Sequence, residues 1–181
     1  GSSADRPTAL AELMGIIVNT GIRRPTVRVQ SLHFAEKTPN ETRFERRAQG
    51  GEQVLLPEVA VVARRALLDV VQNGTAKRLR DSLVGADGNA IEIGGKTGTG
   101  DHRFDTYGAH GQLLSSRVVN RSATFMFILG DRYFGTLVAY VPGEEAAKYH
   151  FTSALATQIL KNLMPTLASL FDSSTQATAC H

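Results

Sequence analysis

"AIEIGGKTGTG", residues 90–100, admits two readings that lead to different folds and different chemistry. Ala90-x-x-x-x-Gly95-Lys96-Thr97 matches a loosened phosphate-binding loop, with alanine at the first glycine position. Such a loop needs a buried strand before it and a helix that starts at the Lys-Thr, so that successive backbone N–H groups cradle the anion. The order here is wrong. The approach, Gly85-Ala86-Asp87-Gly88-Asn89, is not a buried strand, and the loop itself would hold Ile91 and Ile93, whose branched Cβ resists positive φ. Gly98 and Gly100 would each weaken a first helical turn by about 1 kcal/mol. Neither "ALLD" (66–69) nor "FILGD" (127–131) makes a strand end suited to magnesium.

The second reading fits the local physics. Ile91-Glu92-Ile93 alternates as a strand, and Gly94 and Gly95 permit close backbone approach. Alternation sets Lys96 opposite to Thr97 and leaves Gly98 bare between two hydroxyls. Such a strip can donate N–H bonds to an acyl oxygen and hold a carboxylate through hydroxyls and a positive charge. An ordinary glycine-containing edge strand with an exposed lysine remains open on these residues alone.

The rest of the chain bounds the choice. Its 181 residues, 42% hydrophobic, suffice for one sizeable core and one domain or part of one. The net charge of +3 comes from 20 basic against 17 acidic residues, far short of a nucleic-acid surface. The clusters Arg43, Arg46, Arg47 and Lys77, Arg78, Arg80 have only Phe44 near them and read as solvated faces, so no nucleic-acid partner is expected. A single cysteine, Cys180, excludes a disulfide framework and a four-cysteine zinc site. No run reaches the length of a membrane span, and no leader is present. Residues 1–7, beginning Gly1-Ser2-Ser3, read as cloning or linker residues, so the natural start of the protein is expected to lie upstream.

Along the chain, Thr8 is a candidate N-cap for a helix carrying Leu10, Leu13, Met14 and Ile17, stopped by Gly21. "TVRVQSLHF" (26–34) alternates with a slip near Gln30 that suggests a bulge, and "TPNE" (38–41) turns into "TRFERRA" as an exposed hairpin. Pro57 opens the clearest helix, with a stripe of Val59, Val62, Ala63, Ala66, Leu67, Val70 and Val71, closed by Asn73-Gly74. "GTAKRLRDSL" reads as a short helix or turn, and residues 101–120 as a polar stretch of little periodicity. Phe125–Leu129 and Leu137–Val141 form a hairpin around Gly130-Asp131-Arg132 and are apolar on both faces, which predicts helices on each side of the sheet. A helix over 144–163 aligns Ala147, Phe151, Leu155 and Ile159, with Pro165 ending or kinking it. Residues 8–171 form the domain, and 172–181 are expected as a disordered tail.

"GGKTGTG" resembles the third signature of the penicillin-binding protein and serine β-lactamase superfamily, the Lys-Thr-Gly of the innermost sheet strand. "LPEVAVVARRALLDVVQNGTA" looks like the helix ending in Gly-Thr that precedes this motif in peptidoglycan transpeptidases. "TALAELMGIIVNTGIRRPTVRV" looks like the helix, Asn-x-Gly turn and Arg-Pro strand that follow the second signature there. The resemblance covers residues 8–165. It implies an α/β (α+β) fold, a mainly antiparallel sheet covered by helices, with the motif strand paired to the 122–141 hairpin. The family nucleophile lies in Ser-x-x-Lys. No serine here has lysine three residues on; Ser31, Ser82, Ser115, Ser116, Ser122 and Ser153 are followed at that spacing by Phe, Gly, Val, Val, Phe and Ala. Ser-x-Asn, the second signature, is absent too. The chain therefore looks like the C-terminal part of a transpeptidase domain, without a nucleophile and inactive by itself.

By resemblance, Lys96 supplies positive charge beside the nucleophile, and the Thr99 N–H is one oxyanion-hole donor. The Thr97 and Thr99 hydroxyls, flanking Gly98, bind the carboxylate of a D-Ala-D-Ala stem peptide or a β-lactam. The parent would be a membrane-anchored enzyme on the extracytoplasmic (periplasmic) face of the cytoplasmic membrane, partnered here by the missing N-terminal part of its own domain. No cofactor or metal is implied. "GDHRFDTYGAHG" (100–111) departs from the Thr-Asn and Trp-Phe-x-Gly patterns of the bifunctional enzymes, which leaves the subclass open. A non-catalytic sensor or binding module of this fold, or a scaffold with a coincidental Lys-Thr-Gly, are the readings from other classes.

Other constellations weigh less. Asp101, His102, Asp105, Ser115 and Ser116 hold the residue types of a hydrolytic triad but no nucleophile elbow. His102, His110 and Asp105 lack the spacing of a helical metal site. His33, His150 and His181 are scattered; Tyr149 and Phe151 read as packing residues, and Glu58 as a helix-dipole partner.

Overall fold

The computed structural model describes residues 6–29, 31–45, 50–85 and 87–177. At its centre, β5 (Ile93–Tyr107), β6 (Leu113–Leu129) and β7 (Tyr133–Pro142) form an antiparallel sheet in the order β5-β6-β7. The tight turn at Gly130, with φ 61°, joins β6 to β7. Lys96 lies inside β5, paired with Met126, so the phosphate-loop reading, which needs a helix beginning at Lys96, is wrong.

Strand alternation divides the core in two. Ala123, Phe125 and Leu129 of β6 face a cluster with Ile93, Val71, Leu79, Leu83 and the helix residues Ala156, Leu160 and Met164. Ile128, with Met126 beside it, faces the opposite way, onto Met14, Ile17 and Leu67. Helices therefore cover both faces, as the two-sided apolar hairpin predicts: α1 (Pro7–Val18) and α2 (Pro57–Gln72) on one, α3 (Ser153–Ala177) on the other.

Details of the helices differ from expectation. Helix α1 is capped by Arg6 with Pro7 at its first position, not by Thr8; a proline's fixed φ and missing N–H suit that site. It ends at Val18 with Asn19 at its C-cap, and Gly21, the expected stop, lies just beyond it in the turn at φ 86°. In α2 the buried residues are Ala60, Leu67 and Val71, while Val59, Val62 and Ala66 point outward. The inward face is set by β5, because α2 comes so close to the strand that a Cβ on Gly94 would lie 3.2 Å from the Leu67 carbonyl carbon. The helix expected over 144–163 is two elements: a 3₁₀ turn at Glu144–Lys148, then α3 after an extended break. That break shifts the buried stripe by one residue, to Ala156, Leu160 and Met164. Pro165 lies inside α3 without ending it, since Leu160, Met164, Leu167, Ala168 and Phe171 anchor the helix to the sheet on both sides of the proline. The helix extends to Ala177, into the stretch expected as a tail; Cys180 and His181 lie outside the described residues.

Residues 101–120 are not irregular. β5 and β6 continue as a two-stranded ribbon to Tyr107 and Leu113, with Phe104 under the Arg117 guanidinium at 5.5 Å. Register shifts after His102 and Thr106 break the alternation, which hides the strands from a periodicity reading. The hairpin expected around residues 38–41 is present as β2 (Ser31–Phe34) with β3 (Thr42–Glu45). Gln30, site of the expected bulge, lies outside the described residues. A short pair, β1 (Ile22–Arg23) with β4 (Glu52–Gln53), closes the path into α2. The turn before β5 is fastened by Asp87, whose carboxylate accepts from the Asn89 side-chain amide and backbone N–H; those bonds lower its pKa.

Phe125 is fully buried between β5 and α3. Phe125→Ala should lower the free energy of unfolding by about 3–5 kcal/mol. Urea denaturation reads this out, and an unchanged midpoint would contradict the placement of this ring at the centre of the core.

Candidate functional site

The motif strand is an edge strand: among the described residues, β5 pairs with β6 only. The Gly130 N–H donates to the Glu92 carbonyl at 2.8 Å, and the register sets Ile93 opposite Leu129. In an antiparallel ladder hydrogen-bonded and non-hydrogen-bonded pairs alternate. Gly94, Lys96, Gly98 and Gly100 therefore direct their backbone groups toward β6. Gly95, Thr97 and Thr99 direct their N–H and C=O off the free edge.

Side chains divide the other way. Lys96 shares a face with its partner Met126, on the side of α1 and α2, and its Nζ curls back over the edge to donate to the Thr97 carbonyl at 2.7 Å. That contact agrees with an outward-facing Thr97 carbonyl. Thr97 and Thr99 lie opposite Phe125 and Ala123, on the α3 side. The rim of β5 thus carries an ammonium group, an outward carbonyl and an outward N–H within four consecutive residues.

Both hydroxyls are engaged within the chain. Thr97 is buried, and its Oγ1 lies 2.7 Å from that of Thr75. Thr99 is exposed, and its Oγ1 accepts from the Ser153 N–H at the start of α3, at 2.8 Å. Thr99 keeps its own hydroxyl proton to donate. The Thr97 hydroxyl is the less accessible of the two. Thr75 and Ser153 have no role in the sequence reading, although Thr75 stands in the Gly-Thr that closes α2 in the quoted helix. Two residue pairs on, Asp101 Oδ2 meets Arg121 Nη2 at 3.0 Å, and Arg121 Nε is buried without a partner among the described residues.

The glycines of the motif do different jobs. A Cβ on Gly95 would lie 2.3 Å from the Met126 carbonyl oxygen and 2.5 Å from the Phe125 ring, so the close pairing of the strands requires glycine there. A Cβ on Gly98 would meet only Thr124, at an ordinary 3.8 Å. Packing among the described residues therefore does not account for Gly98, whose open side is the face where Lys96 starts.

The remaining candidates do not converge. Ser116 Oγ accepts from Arg103 Nε and Ser115 Oγ pairs with Thr106, so neither serine is bonded to His102, Asp101 or Asp105. Among the described residues no three His, Cys, Asp or Glu side chains come together as metal ligands, and His110 sits in the ribbon turn. His33 lies 4.0 Å from Glu41; His150 is exposed. Phe151 packs on the core with Tyr149 edge-on to it at 6.5 Å, both in the break before α3.

No family model matches the chain, and no curated protein matches it in sequence. Solved structures do share its fold. The D,D-transpeptidase domain of a peptidoglycan glycosyltransferase from Eggerthella lenta superposes with a TM-score of 0.56 at 21% identity, over 88% of this chain and 31% of that one. Penicillin-binding protein 3 from Mycobacterium tuberculosis complexed with ampicillin gives 0.54 at 18%, over 88% and 33%. Its aztreonam complex gives 0.52 at 17%, over 88% and 34%. The fold is that of part of a penicillin-binding-protein transpeptidase domain, as the Lys-Thr-Gly strand implies, and the chain spans about a third of the length of these structures.

Gly95→Ala and Gly98→Ala separate the two glycine roles. The first should destabilise by about 1–3 kcal/mol through overpacking. The second should shift the unfolding midpoint far less, its Cβ meeting an ordinary contact. Equal losses in thermal or urea unfolding would contradict the assignment.

Proposed function

We propose that this chain is the C-terminal part of a peptidoglycan D,D-transpeptidase domain, in which a serine carried outside the chain forms the acyl-enzyme. The observation that carries the reading is the rim of β5, where the Lys96 ammonium and the outward Thr99 N–H stand together on a free strand edge. An acyl oxygen that becomes an oxyanion needs donors already oriented when charge develops, and a backbone N–H on a paired strand is such a donor. Lys96 would stabilise the nucleophile's environment, Gly98 would keep the approach bare, and Thr97 with Thr99 would bind the substrate carboxylate. Of these the Thr99 hydroxyl, with its proton free to donate, is the more direct contact.

The partner would be the remainder of the same domain. Leu56 (67% exposed) and Val62 (64%) with Val59 leave an apolar surface at the start of α2, and β7 pairs on one side only among the described residues. Unpaired edges and contiguous apolar patches are covered in stable proteins. A segment that covers α2 approaches from the side on which Lys96 leaves the strand, which is where a nucleophile must come. The substrate class is a D-Ala-D-Ala stem peptide, and β-lactams would acylate the same serine, in keeping with the ampicillin and aztreonam complexes of the similar Mycobacterium tuberculosis protein. Such chemistry belongs on the extracytoplasmic face of a bacterial membrane; among the described residues no helix is long and apolar enough to cross one.

A fluorescent penicillin tests this. The 181-residue chain should form no covalent adduct. The longer natural protein should form a stable one, slowed about 100-fold by Lys96→Ala. Labelling of the short chain would reveal a nucleophile outside this scheme, and failure of the long protein to label would refute acyl transfer.

A further inference from the structure

Among the described residues the hairpin β2–β3 stands apart: its strands pack on each other and on no other element to any extent. Leu32 pairs with Phe44, and Phe34 with Thr42, so all three apolar side chains share one face. Phe34 and Phe44 meet edge-on at 6.0 Å, yet they remain 54% and 60% exposed, and Leu32 is 50% exposed. Val27 and Val29, on the approach to β2, are exposed as well. A lone two-stranded hairpin is marginal in water, and an apolar face of this kind calls for cover.

Charge says what the cover is. Residues 23–47 hold seven Arg and Lys against three Glu, a net +4, while the whole chain carries +3. The net positive charge of the protein is thus concentrated in the segment that displays the apolar face. Glu41 and Glu45 are drawn to His33 and Arg43, and His33, Arg43 and Glu45 lie on the other face of the hairpin. Arg28 at the root and Lys37 at the tip carry no ion pair among the described residues.

We propose that this hairpin docks on an anionic lipid surface, with Leu32, Phe34 and Phe44 entering the acyl boundary while Arg28 and Lys37 contact headgroups. A face of one leucine and two phenylalanines has little to hydrogen-bond a peptide or a base edge. A fluid apolar layer beneath anionic headgroups satisfies both halves of the pattern. The inference is independent of the acyl-transfer reading, since it uses none of the residues of the β5 rim.

The chain has no tryptophan, so Phe34→Trp gives a fluorescence reporter without background. The exposed ring should tolerate the exchange, checked by circular dichroism. Vesicles containing phosphatidylglycerol should shift its emission to the blue; vesicles of phosphatidylcholine alone should not. Added salt should weaken the response, and Arg28→Glu with Lys37→Glu should weaken binding about tenfold or more. A parallel reporter, Val62→Trp, monitors the other exposed apolar surface. The proposal is overturned if the anionic vesicles move Val62→Trp and leave Phe34→Trp unchanged, if neither responds, or if lipid charge makes no difference. A blue shift of Phe34→Trp that grows with protein concentration in the absence of lipid would assign the face to a second copy, and it too would overturn the proposal.

Discussion

The close passage of β5 between a helix and an aromatic ring governs this structure. At Gly94 the strand runs against the backbone of α2, and at Gly95 it runs against Phe125 and the Met126 carbonyl, with no space for a Cβ at the second position. Two consecutive glycines let one strand be pressed from both faces at once. That double contact joins the two halves of the core, one under α3 and one under α1 and α2, through a single backbone. It also fixes the phase of the residues that follow. Because Gly95 faces Phe125, Lys96 must emerge on the opposite side, and Thr97 and Thr99 must return to the first.

The rim chemistry follows from this phase. Alternation dictates that the residues whose side chains turn toward α3 are the ones whose backbone groups leave the sheet. The threonines are therefore held by Thr75 and Ser153 through their hydroxyls while their peptide groups face outward. The Lys96 side chain is long enough to start on the other face and still bring its charge to the same rim. Position and charge are thereby supplied by neighbours in sequence, without any long loop.

Much of this was legible in the residues. Ile-Glu-Ile followed by Gly-Gly reads as a strand needing close approach, and the apolar runs around Gly130-Asp131-Arg132 read as a hairpin covered twice. What escaped were features that depend on phase. The stripe on α2 is set by contact with Gly94, so Val59 and Val62 look like core in sequence and are surface in the fold. The stripe on α3 is displaced by the break at residues 149–152, which carries no glycine or proline to announce it. The ribbon beyond Asp101 is concealed by two register shifts, each of which exchanges inward and outward positions. Thr75 and Ser153 act through contacts 22 and 54 residues away in sequence, a distance no local pattern spans.

The bond from the Ser153 N–H to Thr99 ties the rim to the first turn of a helix of 25 residues. At 1.5 Å per residue that helix is a rod about 37 Å long, and about two-thirds of the way along it the Tyr133 hydroxyl donates to the Leu170 carbonyl at 2.9 Å. One continuous helix thus fastens the rim of β5 at its first turn and the start of β7 further along, so both edges of the three-stranded sheet hang on the same rod.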